Sequence, residues 1–174
     1  WINLYNAFTV HLVLEHYPLD SIVDIRFGFF DFGPWDEKLL RIEGEEVSLN
    51  DIEHRILRPI WKDPRLHYAL NCASLGCPNL QPKAFNSENV ESLLSSGARG
   101  YINDSRGMRF EDEDKLVLSK IYDWYGVDFG DDEKKLLQHL MRYANRSTKT
   151  RLKSFDGDID FEYDWDLNSF PRKG

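Results

Sequence analysis

The sequence has no long hydrophobic run and only two cysteines. No stretch reaches the roughly 18 uninterrupted apolar residues that a membrane-spanning helix needs, so we expect no membrane span. With 174 residues, one domain can bury a core without disulfides to compensate for a small interior. We therefore expect a single domain over residues 1–174 that folds on its hydrophobic content.

The sequence also lacks an excess of positive charge. The formal net charge is −8 at pH 7 and the sequence pI is about 5.1. Nucleic acids and anionic membrane surfaces bind proteins through basic faces, so this acidic chain is not expected to bind either. Aromatic residues, by contrast, make up 14% of the chain. They suit a dense core or a surface that binds a peptide, protein or glycan.

Several common catalytic and cofactor motifs are missing. There is no glycine-rich phosphate loop and no G-x-S-x-G nucleophile elbow. The acidic run "DGDIDFEYD" lacks the glycine and the final glutamate of a calcium loop. We expect no cofactor. The sequence begins at Trp1 inside a helical pattern, so we expect the N-terminus of the parent chain to lie upstream.

Apolar spacing predicts several helices. The first covers residues 1–16 and is stopped by Pro18. Ser48 and Asp51 form a capping-box pattern at the start of a second helix, which Pro59 should end. Further helices are predicted at "ENVESLLSSGARGYIND", capped by Ser87, at "SKIYDWYG", capped by Ser119, and at "DDEKKLLQHLMRYA".

Other segments carry strand patterns. Hairpins are predicted at "LLRIEGEEVSL" and "RGMRFEDEDKLVLS", and "DIDFEYDWDL" alternates as a half-buried strand should. "LHYALNCA" is typical of a short strand in a sheet centre. The mixture predicts an α+β fold with a central, mostly antiparallel sheet packed by helices.

The segment "HYALNCASLGCP" holds His67, Asn71 and both cysteines. Catalysis by a thiol needs a base and a polar group that orients the imidazole. On a regular strand, His67 and Cys72 would point to opposite faces. A pair therefore requires the strand to end near Asn71, or the loop to return Cys77 toward His67. Asn71 and two asparagines of the first helix, Asn3 and Asn6, are the candidate orienting groups.

Two other interpretations of the cysteines remain. A disulfide between Cys72 and Cys77 is compatible with a tight four-residue loop containing Gly76, and it would fix the local shape. Zinc would need His67, both thiols and a fourth ligand such as His54. Structural zinc sites usually carry two closely spaced ligand pairs, and this segment offers one. We predict no metal site and leave the nucleophile and the disulfide as alternatives.

Five segments, taken in order, resemble the family known as domain of unknown function 547: "WINLYNAFTVHLVLEHYP", "DIEHRILRP", "HYALNCASLGCP", "SKIYDWYGVDF" and "YDWDLN". Bacterial members often carry export signals, so the resemblance implies a periplasmic or secreted bacterial protein. Carried onto this chain, the family pattern marks Trp1, Asn3, Tyr5, Asn6, His67, Asn71, Cys72, Cys77, Pro78, Ser119, Trp124, Tyr125, Asp164 and Trp165.

A helix followed by a histidine segment is also similar to the order found in papain-like and transglutaminase-like enzymes. Their cysteine opens the helix, whereas this helix offers Asn3 or Asn6, so the thiol would come from Cys72 or Cys77. We expect a cysteine-dependent acyl-transfer hydrolase acting on amide or peptide bonds, with His67 as base. The alternative is a non-catalytic extracytoplasmic binding or scaffold module with a Cys72–Cys77 disulfide. The candidate binding residues are Trp1, Tyr5, Trp124, Tyr125 and Asp164.

Overall fold

The computed structural model describes residues 1–28 and 32–169. These residues form helices and two small β-sheets, which is the predicted α+β fold class. The chain divides into two compact units. The first contains Trp1–Trp61, Asn71–Cys77 and Asp164–Gly174, and the second contains Lys62–Leu70 and Pro78–Tyr163.

The first unit begins with helix α1, Ile2–His16, as predicted. Its buried residues, Ile2, Tyr5, Thr9 and Leu12, recur every three or four positions and so share one face. Helix α1 packs against a π-helix, Asp51–Leu57. Helix α1 ends at His16. The next residue, Tyr17, is extended because Pro18 disfavours helical geometry in the residue before it.

Strands β1, Leu40–Ile42, and β2, Glu45–Val47, form the predicted antiparallel hairpin. The turn between them consists of Glu43 and Gly44, both with positive φ. Two such residues match the twist of a tight hairpin. Gly44 relieves the strain at one of the two positions.

The capping box before the π-helix is confirmed. The Ser48 N–H donates to Asp51 Oδ2 and the Asp51 N–H donates to Ser48 Oγ, both at 3.0 Å. The prediction that Pro59 ends the helix is wrong, because the π-helix continues into α2, Arg58–Trp61. Pro59 therefore lies inside a continuous helical segment, to which it contributes no backbone N–H donor.

The strand predicted at "LHYALNCA" is also wrong. Pro64–Tyr68 forms a 3-10 helix, in which His67 lies. Asp63 caps it by accepting the Arg65 N–H at 2.9 Å, and Pro64 presets its backbone. A short apolar run does not distinguish a buried strand from a buried helical turn. The argument from strand alternation therefore does not apply to His67.

The second unit continues with helices and a three-stranded sheet. The helices are α3, Val90–Ile102, α4, Ile121–Trp124, α5, Glu133–Tyr143, and α6, Arg146–Lys153. The strands are β3, Met108–Phe110, β4, Lys115–Ser119, and β5, Asp158–Glu162. β4 pairs antiparallel with β3 and parallel with β5, placing Leu116 opposite both Phe110 and Ile159.

Two helix starts differ in how well the sequence predicted them. Before α3, the turn is capped by Asn86, which accepts the N–H groups of Glu88 and Asn89, so the predicted cap at Ser87 is wrong. Before α4, the Ser119 hydroxyl accepts the Ile121 N–H at 3.2 Å, as expected of a capping serine. Helix α6 was not predicted, because only Leu152 is buried on it.

The core of the second unit is rich in leucine and aromatic residues. Its buried members are Tyr68, Ala98, Tyr101, Ile102, Met108, Leu116, Leu118, Ile121, Tyr122, Phe129, Leu136, Leu137, Leu140 and Leu152. Four aromatic residues, Tyr68, Tyr101, Tyr122 and Phe129, are thus buried in this core. Within residues 1–28 and 32–169, no helix is both long enough and apolar enough to cross a membrane.

Candidate functional site

The cysteine loop, residues 71–77, lies in the first unit. The two sulfur atoms are 2.8 Å apart, compared with about 2.05 Å in a disulfide bond. The Cys72 N–H donates to Cys77 Sγ at 2.8 Å, and the Ser74 hydroxyl lies 3.2 Å from Cys72 Sγ. Cys77 is buried and Cys72 is partly exposed. The loop thus brings the sulfur of a partly exposed cysteine against that of a buried one.

Asparagine side chains hold the start of the cysteine loop. Asn6 on α1 accepts the N–H of Asn71 at 2.8 Å. Asn71 in turn accepts the N–H of Ala73 at 2.8 Å, which is an Asx turn. Ala73 has a φ of +64°, a conformation that few non-glycine residues adopt. Two of the asparagines predicted to orient an imidazole therefore support the backbone beside the cysteines.

The C-terminal segment, residues 164–168, holds the rest of the cysteine loop. The N–H groups of Gly76 and Leu75 donate to the carbonyls of Asp164 and Asp166 at 2.8 and 2.7 Å. The Ala73 carbonyl accepts the Asn168 N–H at 2.8 Å. The Asp164 side chain accepts the Asp166 N–H at 2.9 Å and so shapes the segment itself. Asp164, predicted as a binding residue, contributes through both its backbone and its carboxylate.

The buried side chain of His67 pairs with a partly exposed carboxylate in the second unit. Its Nε2 lies 2.7 Å from Asp128 Oδ2, and only 2% of its side chain is exposed. The imidazole stacks on Tyr125, with ring centroids 4.0 Å apart and an interplanar angle of 24°. A carboxylate bound to one ring nitrogen fixes the tautomer and stabilises the imidazolium form. This is the arrangement that a general base requires.

A tight turn places Asp128 beside His67. Asp128 lies in a 3-10 helix, Gly126–Phe129, and its N–H donates to the Tyr125 carbonyl at 2.8 Å. Gly130 ends this turn with a φ of +113°. A Cβ on Gly130 would lie 2.5 Å from the Cβ of Lys135, so both conformation and space require glycine there.

His139 is buried in a different environment. Its Nε2 lies 2.8 Å from the Tyr68 hydroxyl, which is 3.5 Å from the hydroxyl of Tyr122. Burial lowers the pKa of His139 to about 4 and raises the pKa values of both tyrosines. His139 is therefore a neutral imidazole near pH 7, satisfied inside the core.

The remaining predicted residues differ in exposure. Trp1, which precedes α1, is 45% exposed, and Asn3 is exposed on α1. Tyr5 is buried, with 3% exposed. Trp124 is 44% exposed and its ring packs against Tyr163, with centroids 4.9 Å apart. Trp1 and Trp124 are thus the predicted binding residues whose rings have the most surface available to a ligand.

Sequence reasoning missed two residues of these clusters. Asp128 lies inside "SKIYDWYGVDF", one of the segments that carry the family resemblance, and its acidic side chain between Val127 and Phe129 was the available signal. Ser74 lies between the two cysteines and is completely buried. A hydroxyl two residues after a candidate thiol was the signal there.

Within the part of the chain that the structure describes, no group of three or more His, Cys, Asp or Glu side chains could hold a metal ion.

Comparison with known proteins identifies the family. A family model described as "Protein of unknown function, DUF547" matches residues 1–102, more than half of the 174 residues. Neither the curated proteins nor the solved structures contain a match. The family match includes α1, the π-helix, the His67 turn and the cysteine loop. The chain therefore belongs to the DUF547 family.

Proposed function

We propose that this chain is a cysteine-dependent acyl-transfer hydrolase that acts on amide or peptide bonds. His67 is the general base, Asp128 orients its imidazole, and Cys72 or Cys77 supplies the attacking thiolate. The observation that carries the proposal is the 2.7 Å hydrogen bond between His67 Nε2 and Asp128. The pair supplies the base and the orienting group of a catalytic triad, with an aspartate in place of the expected asparagine.

The environment of His67 favours a chemical role over a surface role. The side chain is almost fully buried, its ring stacks on Tyr125, and a carboxylate binds one nitrogen. Burying a histidine with a carboxylate is costly unless the two are hydrogen-bonded, as they are here. Such pairing prepares the imidazole to take up a proton, because Asp128 stabilises the resulting positive charge.

The proposed reaction has two steps. His67 accepts the thiol proton through Nδ1, the thiolate attacks the carbonyl carbon, and the imidazolium then gives the proton to the leaving amine. The product is a thioester between the cysteine and the acyl group. In the second step His67 accepts a proton from water as the water oxygen attacks the thioester carbon. The imidazolium then returns the proton to the departing thiolate, which releases the carboxylic acid and regenerates the thiol.

The pH dependence of alkylation tests this proposal. The reduced protein is treated with iodoacetamide between pH 5 and 9, and modified cysteines are identified by mass spectrometry. An ordinary thiol, with a pKa of about 8.5, is mostly protonated at pH 6 and reacts slowly there. We expect the wild type to react at pH 6 about tenfold or more faster than His67→Gln, with Asp128→Asn in between.

His11→Gln is the matched control, because the His11 side chain is 57% exposed on α1. It should leave the alkylation profile unchanged. Equal rates at pH 6 for the wild type and His67→Gln would refute the role of His67 as base. Acylation by p-nitrophenyl acetate, followed by release of nitrophenolate, gives a second measurement that should be slowed by the same two variants.

A second candidate is a non-catalytic extracytoplasmic module in which a Cys72–Cys77 disulfide fixes the shape of the loop. The 2.8 Å between the sulfurs and the backbone hydrogen bonds that anchor the loop favour it. Disulfides persist outside the cytoplasm, in keeping with a periplasmic or secreted location. The exposed ring of Trp1 in the first unit, or that of Trp124 in the second, would then contact a peptide, protein or glycan.

Thiol counting separates this second candidate from the hydrolase. Folded protein isolated without reductant would have a mass two hydrogens lower than the sequence requires and would take up no iodoacetamide. After reduction and unfolding it would take up two equivalents. Two alkylated cysteines without prior reduction would rule out the disulfide module.

A further inference from the structure

We propose that Cys72 and Cys77 form a reversible dithiol–disulfide couple, in which Cys72 exchanges with external disulfides and Cys77 resolves the mixed disulfide. This activity differs from a permanent disulfide because the pair cycles between two states. It also differs from amide hydrolysis, since neither His67 nor Asp128 takes part.

The unequal burial of the two cysteines assigns their roles. Cys77 is 3% exposed, so an external disulfide has little access to its sulfur. Cys72 is the partly exposed residue of the pair, so we assign the contact with a small external disulfide to it. Thiol–disulfide exchange depends on access to the attacking sulfur, so the first attack belongs to Cys72.

The hydrogen bonds of the loop prepare Cys77 for the second attack. Cys77 Sγ accepts the N–H of Cys72 at 2.8 Å, and a donor aimed at a sulfur favours its thiolate form. The same sulfur lies 2.8 Å from Cys72 Sγ, the atom it must attack. The thiolate is the species that attacks a disulfide sulfur, so Cys77 is both positioned and activated.

The anchoring of the loop allows both redox states to share one backbone. The Leu75 and Gly76 N–H groups bind the C-terminal segment, and the Cys77 N–H donates to the Ser74 carbonyl at 3.1 Å. These bonds hold the two cysteine positions whether or not the sulfurs are joined. Oxidation therefore needs side-chain rotation and no refolding of the loop.

The exchange is balanced with a small-molecule disulfide, RSSR, as the oxidant. The Cys72 thiolate attacks one sulfur of RSSR, the S–S bond breaks, and one thiolate leaves and takes up a proton. The Cys77 thiolate then attacks the Cys72 sulfur of the mixed disulfide. This expels the second RS thiolate, which also takes up a proton. Two protein thiols and RSSR thus give the protein disulfide and two RSH. Excess RSH drives the reverse reaction.

The test uses glutathione disulfide as RSSR and compares reduced, folded wild type with Cys77→Ser and Cys72→Ser by intact mass after acid quenching. We expect Cys77→Ser to accumulate one glutathionyl group at Cys72, about tenfold or more faster than Cys72→Ser gains one at Cys77. The wild type should lose two hydrogens without accumulating an adduct, and should regain them in excess reduced glutathione.

Three results would overturn the inference: equal labelling of both variants, a wild-type adduct that does not close, or a wild-type disulfide that reduced glutathione cannot open. Circular dichroism confirms that each variant is folded. If either variant unfolds, the fraction of wild type oxidised across a series of glutathione redox buffers decides the question alone. None of these measurements involves hydrolysis, so the inference and the proposed hydrolase fail separately.

Discussion

Two buried histidines show how strongly the immediate partner determines what an imidazole can do. His67 is paired with the Asp128 carboxylate, which stabilises a positive charge on the ring. His139 is paired with the hydroxyl of Tyr68, and burial, followed by the charge of Arg142, lowers its pKa. His139 therefore resists protonation in the folded state, whereas His67 has a carboxylate as its hydrogen-bond partner.

The lowered pKa of His139 predicts acid-dependent stability. The folded-state pKa of about 4 lies below the ordinary value of 6.5, so the unfolded state binds more protons between these values. Above pH 6.5, protonation of His139 does not change the free energy of unfolding. As the pH decreases toward 4, the unfolded state gains the proton first and the free energy of unfolding falls. We expect a loss of about 2–3 kcal/mol between pH 7 and 4.5, measured by urea unfolding.

The variant His139→Gln removes this titration and should flatten that part of the stability profile, even if it is less stable at pH 7 because the Tyr68 hydrogen bond changes. His11→Gln, at an exposed position on α1, serves as the control and should keep the wild-type slope. An unchanged slope in His139→Gln would show that other groups cause the acid sensitivity.

At the scale of elements, short helices and turns were set by caps that hydrophobic patterning does not capture. Asp63 and Pro64 convert an apolar run that resembled a strand into a 3-10 helix. The reciprocal bonds of Ser48 and Asp51 were predicted correctly, because a capping box is local in sequence. The strong hydrogen bond from the Ser48 backbone lowers the pKa of Asp51 to about 2, so this cap remains charged well into the acid range.

The start of β5 depends on Gly157, which directly precedes the strand and lies against Asp114 in the β3–β4 turn. A Cβ on Gly157 would lie 1.9 Å from the carbonyl oxygen of Asp114, the same oxygen that accepts the Asp158 N–H. The obstructing atom belongs to the backbone, so moving it would cost free energy of folding. We expect Gly157→Ala to reduce the free energy of unfolding by about 1–3 kcal/mol, measured by urea denaturation.

Gly100 is the matched comparison. It lies exposed within α3, and nothing would be within 4 Å of its added Cβ. Alanine lowers the backbone entropy of the unfolded chain, so Gly100→Ala should stabilise the protein by about 0.5–1 kcal/mol. A Gly157→Ala protein as stable as the wild type would show that the turn relaxes more easily than its contacts indicate.

At the scale of the whole molecule, the first unit is assembled from three separate pieces of chain. Its C-terminal piece holds the cysteine loop through hydrogen bonds to Ala73, Leu75 and Gly76. The loop therefore depends on residues almost a hundred positions later in the sequence. This long-range closure is the feature of the fold that no local pattern could indicate.

Truncation tests this dependence. A chain ending at Tyr163 loses the partners of Leu75 and Gly76, so both amides should exchange with solvent about tenfold or more faster, measured by hydrogen–deuterium exchange. A chain ending at Ser169 keeps every one of these hydrogen bonds and should behave as the full chain does. Equal protection of the two amides in both truncations would disprove the anchoring role of the C-terminal segment.

The sequence by itself determined the α+β class, helix α1, both hairpins and the family, because periodicity, capping and motif order are local properties. It also predicted His67, the two cysteines and the asparagines as candidate site residues. Only the tertiary structure showed which groups these side chains contact. It paired His67 with Asp128, 61 positions away in the chain, and brought the cysteine sulfurs together in a loop anchored from both α1 and the C-terminal segment. Such contacts depend on how distant segments pack, and no spacing along the chain encodes them.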